Sequence, residues 1–213
     1  MDSDTFMAIY EQMPEGFRAQ LVRGVVLVAS PMTFDHGLPN ADVSGWLFIY
    51  TAKTPGVRVA AAATIRLGPD DNPEPDASLL ILPESGGQAR IEGKYIAGAP
   101  ELVVEVSYSS RAVDLHDKQR AYEEAGVREY VVVDIGGARV HWFVLRDGRF
   151  AEVAPGEDGL HHSEVFPGLW LDPAALVAGD AARLLAVAER GTTSPEHAAF
   201  VARLAEARQK AGG

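Results

Sequence analysis

The sequence contains no cysteine among its 213 residues. Disulfide bonds, thiolate nucleophiles and cysteine-ligated metal sites are therefore excluded. The lack of cysteine fits a chain that works in a reducing compartment. We therefore predict a cytoplasmic location.

The sequence also lacks any apolar run of membrane-spanning length. Its first residues, Met1-Asp2-Ser3-Asp4, are acidic, whereas a signal peptide begins with basic residues. Neither a signal peptide nor a transmembrane helix is expected. We predict no membrane partner.

Basic residues are scarce, since 19 Lys and Arg face 30 Asp and Glu and the formal net charge is −11. Non-specific binding of nucleic acid depends on neutralising phosphates with Lys and Arg. The balance therefore argues against strong non-specific nucleic-acid binding, and it counts against a nuclease. A local basic groove or a bound metal ion could still offset the charge.

Apolar residues are plentiful at 47% of the chain, which is enough for a hydrophobic core. Apolar periodicity and turn residues divide the sequence into short helices and strands. We predict helices over residues 3–13, 40–53, 113–125, 181–190 and 195–210, a helical turn over 173–178, and strands over 17–22, 25–29, 57–67, 77–82, 101–107, 129–134, 139–145 and 149–153. Residues 30–39, 83–100 and 156–162 are expected to be loops, with a short helix inside the second.

The last segment differs in composition from the rest of the chain. Residues 173–213 are rich in alanine and predicted to be helical, whereas residues 1–172 mix strands and helices. We therefore predict a main domain over 1–172 and a helical C-terminal appendage over 173–213, which could serve as a dimer arm.

Two carboxylates mark the strands that the sequence predicts to be most buried. Asp76 precedes one apolar strand, and Glu105 lies inside another, on the same face as Val103 and Ser107. A buried carboxylate is costly unless it is paired or binds a metal. Carboxylate oxygens at adjacent strand ends are ligands that Mg²⁺ prefers.

A predicted helix follows the Glu105 strand and carries three polar side chains on one face. Asp114, Lys118 and Tyr122 stand at positions i, i+4 and i+8. Lys118 could therefore reach back over the end of the sheet to the two carboxylates. Alone, each residue also has an ordinary explanation: Asp76 could cap a turn, Asp114 could stabilise the start of its helix, and Lys118 could be a solvated surface charge.

The ordered string of motifs resembles the bacterial family known as "putative restriction endonuclease", or Uma-two, within the PD-(D/E)XK nuclease superfamily. The motifs that carry the resemblance over residues 4–172 are Pro75-Asp76, the strand with Glu105, Ser107-x-Ser-Ser, Asp114-x-x-x-Lys118-x-x-x-Tyr122 and the segment Gly126–Asp134. The hairpin at residues 20–26 and the loop with His36 are also similar to that family. The resemblance implies an α/β restriction-endonuclease-like fold with a mixed central sheet flanked by helices, to which residues 139–153 add an antiparallel extension.

The resemblance also implies a catalytic site and a reaction. Asp76, Glu105 and the backbone carbonyl of Val106 would bind Mg²⁺ or Mn²⁺, and Lys118 would be catalytic in the hydrolysis of a phosphodiester in DNA. The superfamily's lysine normally stands where this chain has Ser107, so Lys118 would replace it from the helix. Gln20 stands where family members usually carry a glutamate.

The remaining expectations concern residues that would assist the catalytic groups, and the oligomeric state. His36 could contact phosphate or carry a proton, and Tyr122 would orient Lys118. A homodimer would suit cleavage of two strands. The alternative is a catalytically inactive relative that acts as a DNA- or protein-interaction module. Glu101 is expected to be exposed, and His161-His162 is expected to lie on the surface without a role.

Overall fold

The computed structural model describes residues 1–29, 33–108 and 110–212, with the backbone but not the side chain of His36. Its helices are α1 (Ser3–Tyr10), α2 (Phe34–Lys53), a 3₁₀ turn (Pro83–Ser85), a π-helical turn (Val113–Lys118) that continues as α3 (Gln119–Ala125), α4 (Pro173–Ala178), α5 (Ala181–Thr192) and α6 (Pro195–Ala211). Its strands are β1 (Ala19–Val22), β2 (Val25–Val28), β3 (Val57–Ala61), β4 (Ile65–Arg66), β5 (Ala77–Ile81), β6 (Arg90–Glu92), β7 (Tyr95–Ala97), β8 (Leu102–Ser107), β9 (Glu129–Asp134), β10 (Arg139–Arg146), β11 (Arg149–Glu152), β12 (His161–His162) and β13 (Trp170–Leu171).

Six strands form the central sheet in the order β11-β10-β9-β8-β5-β3. Strands β8 and β9 pair in parallel, and the other neighbours pair antiparallel. The sheet is therefore mixed, as predicted, and β10 with β11 forms its antiparallel extension. Three smaller sheets, β1-β2, β12-β13 and β4-β7-β6, lie outside it.

A β-helix-β unit at the centre of the sheet brings the predicted site together. Strand β8 leads into the π-helical turn and α3, and the chain then returns as β9 beside β8. Helix α3 ends at Ala125, and Gly126 caps it with a positive φ of 85°, which a residue without a Cβ adopts readily. The predicted C-terminal glycine of this helix is confirmed, and the helix lies over the sheet next to Glu105.

Alternate residues of β8 face two different cores, as the period of two predicts. Leu102, Val104 and Val106 belong to the larger core, which α2 and the C-terminal helices cover. Val103 belongs to a smaller core with Tyr122 and other residues of the α3 side. Glu105 therefore points to the α3 side of the sheet.

The C-terminal helices pack against the same core as the central sheet. Leu176 of α4, Leu184 of α5, and Phe200 and Leu204 of α6 are buried in the larger core. Residues on both sides of position 172 thus contribute to one hydrophobic cluster. The domain boundary predicted there stays a prediction.

Helix α2 begins at Phe34, so the expectation of a loop through residue 39 was wrong. Gly37 and Pro39 suggested a loop, but Pro39 lies within the first two turns, where it removes one backbone hydrogen bond from a helix of 20 residues. The buried stripe of Val43, Leu47 and Tyr50 anchors the rest of the helix. Neither α2 nor another helix in the described ranges is long and apolar enough to cross a bilayer.

Three short strands, β6, β7 and β12, fall in segments that were expected to be loops. Strands β6 and β7 form a hairpin in which Ile91 pairs with Ile96, inside the predicted connection over residues 83–100. Strand β12 pairs with β13, and His161 is buried, so its expected surface position was wrong. These strands have two or three residues each, too few to show a period in the sequence.

Candidate active site

Asp76 and Glu105 lie opposite each other at one edge of the central sheet. Strands β5 and β8 run antiparallel with Ala77 paired to Val104, so the next position in the register sets Asp76 against Glu105. Glu105 is only 3% exposed, whereas Asp76 is half-buried. The two predicted carboxylates are thus neighbours across two strands.

Within the part of the chain that the structure describes, two hydrogen bonds hold the Asp76 carboxylate. Its Oδ2 accepts the backbone N–H of Val106 at 2.7 Å, and its Oδ1 accepts the side-chain amide of Asn40 at 3.1 Å. The N–H and carbonyl of one strand residue point to the same side of the strand. The carbonyl of Val106 therefore lies on the Asp76 side of β8.

The Glu105 carboxylate contacts two side chains from the helix above it. Lys118 Nζ lies 2.9 Å from its Oε2, and the Tyr122 hydroxyl donates to its Oε1 at 2.8 Å. Both partners are buried as well. The helix thus supplies one cation and one neutral donor to a carboxylate that is removed from water.

Asp114 is a second carboxylate partner of Lys118. Its Oδ1 lies 3.3 Å from Lys118 Nζ, its Oδ2 accepts the Ser110 hydroxyl at 2.5 Å, and its backbone carbonyl accepts the Tyr130 hydroxyl at 2.9 Å. Asp114 and Lys118 both lie in the π-helical turn, a rare conformation that is frequent at functional sites. The turn brings the Lys118 ammonium between two buried carboxylates.

Burial and neighbouring charges set the proton affinity of these groups. Burial raises the pKa of Glu105 above its ordinary value, and the Lys118 ammonium opposes that shift by favouring the charged carboxylate. Burial acts to lower the pKa of Lys118, but the carboxylates of Glu105 and Asp114 outweigh it and keep that pKa above its ordinary value. Burial and Glu105 together raise the pKa of Tyr122 well above its ordinary value, so the Tyr122 hydroxyl keeps its proton and donates.

A cavity of about 560 Å³ opens onto these groups. Its described lining contains five carboxylates, Asp35, Glu74, Asp76, Glu105 and Asp114, and two cations, Arg18 and Lys118. Leu27, Val28, Ala29, Val113 and Tyr108 also line it. The cavity is therefore acidic around the site and apolar on part of its wall.

The other predicted site residues differ in whether they line the cavity. Gln20 lines the cavity, and its side-chain oxygen accepts the backbone N–H of Glu74 at 3.2 Å. Ser107 is fully buried, and within the described chain its hydroxyl has no hydrogen-bond partner. It shares a face with Glu105 but does not line the cavity. The side chain of His36 lies outside the described residues.

Several residues at the site were given no site role from the sequence, although two of them lie within the motifs quoted for the family resemblance. Asn40 contacts Asp76 from α2, and Ser110 and Tyr130 hold Asp114. Ser110 lies four residues before Asp114, a spacing that could have been noticed. Asn40 comes from 36 residues away in the chain and leaves no local signal.

The donor set at this site fits a hard divalent cation. In the described chain no three side chains of His, Asp or Glu gather into a metal site by themselves. Mg²⁺, however, usually binds through one or two carboxylates and keeps several waters. Asp76, Glu105 and the Val106 carbonyl match that demand, and each carboxylate oxygen that already accepts one hydrogen bond has a further lone pair.

The fold is similar to that of a solved nuclease. The crystal structure of "a putative nuclease belonging to DUF820" from Anabaena variabilis superposes with a TM-score of 0.59, covers 83% of this chain and 99% of its own, and is 15% identical in sequence. At that identity the likeness shows the fold, which is restriction-endonuclease-like. No curated protein sequence matches the chain.

The family model with the description "putative restriction endonuclease" matches residues 5–174, which is most of the chain. That match contains Asp76, Glu105, Lys118 and the whole β8-α3-β9 unit. It supports a nuclease, a hydrolase that acts on nucleic acid. The chain belongs to the Uma2 family of restriction-endonuclease-like proteins.

Proposed function

We propose that this protein is a metal-dependent endonuclease that hydrolyses phosphodiesters in DNA at the site formed by Asp76, Glu105 and Lys118. The observation that carries the proposal is the buried contact between Lys118 and Glu105, 2.9 Å long, beside Asp76 in an open cavity. A buried ion pair in a cleft, with shifted pKa values, is a frequent mark of a functional site. The family match supports the same reading.

Asp76, Glu105 and the carbonyl of Val106 would hold Mg²⁺ or Mn²⁺. Such an ion supplies Lewis acidity at the scissile phosphate and favours ionisation of water. The carboxylates of Asp76, Glu105 and Asp114 exceed the single charge of Lys118, so the site itself favours a further cation. The two hydrogen bonds on Asp76 fix the direction of its carboxylate before any ion binds.

Lys118 would stabilise negative charge that develops on the phosphate. An ammonium group has three N–H donors, and Glu105 and Asp114 are its two carboxylate partners in the described structure. The third donor is available to a phosphate oxygen, because Lys118 lines the cavity. A preorganised cation in a water-poor site stabilises a charged transition state more strongly than it would in water.

Asp114 and Tyr122 would act as positioning residues. Asp114 contacts the Lys118 ammonium in addition to Glu105, and Tyr122 donates to the other oxygen of the Glu105 carboxylate. Neither needs to touch the substrate. Two copies of the chain would suit cleavage of both strands of a duplex, so we retain a homodimer as part of the proposal.

A catalytically inactive relative that binds DNA or protein is the second candidate. Two observations favour it: Ser107 occupies the position of the superfamily's lysine, and Gln20 is engaged by the backbone of Glu74. The net charge of −11 also opposes tight DNA binding. The two candidate functions differ in one observable property: only the endonuclease would cleave DNA in a metal-dependent reaction.

The test is cleavage of supercoiled plasmid and of circular single-stranded DNA with Mg²⁺ or Mn²⁺. The wild type should cut, and Asp76→Asn should lose at least a hundredfold in rate. Asp70→Asn is the matched control, because Asp70 is an exposed aspartate outside the cavity. Calorimetry with Mn²⁺ gives a second readout, in which Asp76→Asn should bind more weakly. An inert wild type that also binds no metal would contradict the enzyme and support the second candidate.

A further inference from the structure

We infer that the cavity at Asp76, Glu105 and Lys118 accepts an unpaired nucleic-acid strand, with a base stacked on the ring of Tyr108. The inference rests on the proposed function and specifies its substrate. It concerns the rim of the cavity, whereas the proposed chemistry concerns the carboxylates and the lysine within it.

Tyr108 stands at the rim of the site. It follows Ser107, the last residue of β8, and lines the same cavity as Glu105 and Lys118. Its side chain is 57% exposed, although it lies next to a strand that is buried throughout. In the described part of the chain, the ring stacks on no other aromatic side chain. A tyrosine ring is thus presented at the rim of the cavity.

The other side of the cavity is apolar. Leu27, Val28 and Ala29, from the end of the β1-β2 hairpin, line it, and Val113 adds a further apolar side chain. Val28 is largely exposed although its side chain is apolar. An apolar surface beside an exposed aromatic ring suits the flat face of a nucleobase, which proteins bind by stacking.

In the described lining of the cavity, and at Arg111, which follows Ser110 of that lining, the cations are paired with carboxylates. Arg18 contacts Glu74, and Arg111 Nε lies 2.8 Å from Asp134 Oδ2. Lys118 contacts Glu105 and Asp114 within the cavity. A duplex carries one phosphate charge about every 1.7 Å of its axis, and proteins bind it largely by neutralising those charges. The described lining of the cavity therefore offers little neutralisation of phosphate charge.

A duplex would also leave the ring and the apolar wall unused. In a duplex each base face is covered by its neighbours in the stack, so a side chain reaches a face only when the base is unpaired or flipped out. In a single strand the faces are open, and stacking attracts every base without regard to sequence. The exposed ring and the scarcity of free cations therefore favour the same substrate, an unpaired strand.

The test measures binding of fluorescent oligonucleotides whose phosphorothioate linkages resist cleavage, by anisotropy in the presence of Mn²⁺. The wild type should bind a single strand at least tenfold more tightly than a blunt duplex of the same sequence. Tyr108→Ala should weaken binding of the single strand by about 5- to 150-fold, the range that corresponds to the loss of one stacked base. Tyr108→Phe should bind like the wild type, because the ring remains.

Phe48→Ala is the matched control, since Phe48 is an exposed aromatic residue of α2 that does not line the cavity. Its affinity should equal that of the wild type. Equal or tighter binding of the duplex would overturn the inference, and so would a Tyr108→Ala protein that binds the single strand normally. Ring-dependent binding without cleavage of ordinary DNA would refute the proposed function alone, whereas cleavage that prefers duplex DNA would refute only this inference.

Discussion

Buried carboxylates lie at both ends of strands β8 and β9, but the groups that stabilise them differ between the two ends. At the amino end, Glu101 accepts the backbone N–H groups of Ile81 and Gln88, each at 2.8 Å. Glu129 beside it accepts the Ser163 hydroxyl at 2.5 Å and the backbone N–H of Glu164 at 2.7 Å. At the other end, Glu105 is paired with Lys118 and faces a cavity.

The difference separates carboxylates with structural contacts from the one that we propose to act in the site. Glu101 and Glu129 tie loops to the sheet through amide and hydroxyl donors, and neither lines the site cavity. Glu105 instead has the ammonium of Lys118 as its partner and lines a cavity that opens to solvent. Burial of a carboxylate in a strand therefore does not by itself mark a site. The cation and the cavity are the features that do.

Removal of the cation should produce the largest effect. In Lys118→Met, the Glu105 carboxylate stays buried without its ion-pair partner, and such a loss costs about 3–5 kcal/mol of stability. Nuclease activity should disappear as well. Urea denaturation at pH 7 and the plasmid assay measure the two effects.

The double variant Lys118→Met/Glu105→Gln separates the two effects of that substitution. It removes both charges, so it should regain much of the lost stability but none of the activity. A Lys118→Met protein as stable as the wild type would show that the pair does not hold its charges in the folded state, and the contrast between the two ends would fail.

At the amino end, the expected effect is a dependence of stability on pH. Burial raises the pKa of Glu129 from its ordinary 4.5 to about 7, although the Ser163 hydroxyl opposes the shift. The folded state then binds the proton more tightly than the unfolded chain, so the stabilising contribution is full below pH 4.5 and is lost as pH rises through 7. The loss is of the order of 3 kcal/mol.

Glu129→Gln should remove this dependence, because glutamine does not titrate. Its amide oxygen can accept from Glu164, and its amide nitrogen can donate to the Ser163 oxygen. The difference in free energy of unfolding between this variant and the wild type should therefore change between pH 5 and pH 8 in favour of the variant. A constant difference across that range would contradict the raised pKa.

The sequence predicted those parts of the site that depend on the periodicity of a single strand or helix. Alternation along β8 correctly assigns Glu105 to one face, and helical spacing brings Asp114 to within 3.3 Å of Lys118 even though the turn is π-helical. The strand pairing that sets Asp76 beside Glu105 followed from the motif order. The first two features depend only on residues close together in the chain, whereas the third depends on the order of the strands.

Long-range packing explains what the sequence did not reveal. Glu101 was expected to be exposed and is fully buried, because residues Ile81 and Gln88 fold over it from another part of the chain. Asn40 contacts Asp76 from α2, 36 residues earlier in the chain. The periodicity of apolar residues in the sequence does not predict such contacts, because they depend on how elements that are distant in the chain pack together.

Glu101→Gln should cost up to about 3 kcal/mol of stability, since one of two buried backbone N–H groups would then face an amide N–H. The folded fraction of the variant should cleave DNA at the wild-type rate, because Glu101 lies at the end of the strands away from the cavity. Thermal unfolding and cleavage per folded molecule measure this. A loss of rate in the folded fraction would show that the two ends are coupled.

The smallest expected effect comes from a matched pair of hydroxyl deletions. Tyr122→Phe removes the donor to Glu105, and Ser163→Ala removes the donor to Glu129. Each should cost about 1–2 kcal/mol of stability, because each leaves a buried carboxyl with one hydrogen bond fewer. Only Tyr122→Phe should lower the rate of cleavage, by roughly tenfold if the misplaced carboxylate costs about 1.4 kcal/mol in the transition state. Equal rates for the two variants would mean that Tyr122 supports the fold and does not position Glu105.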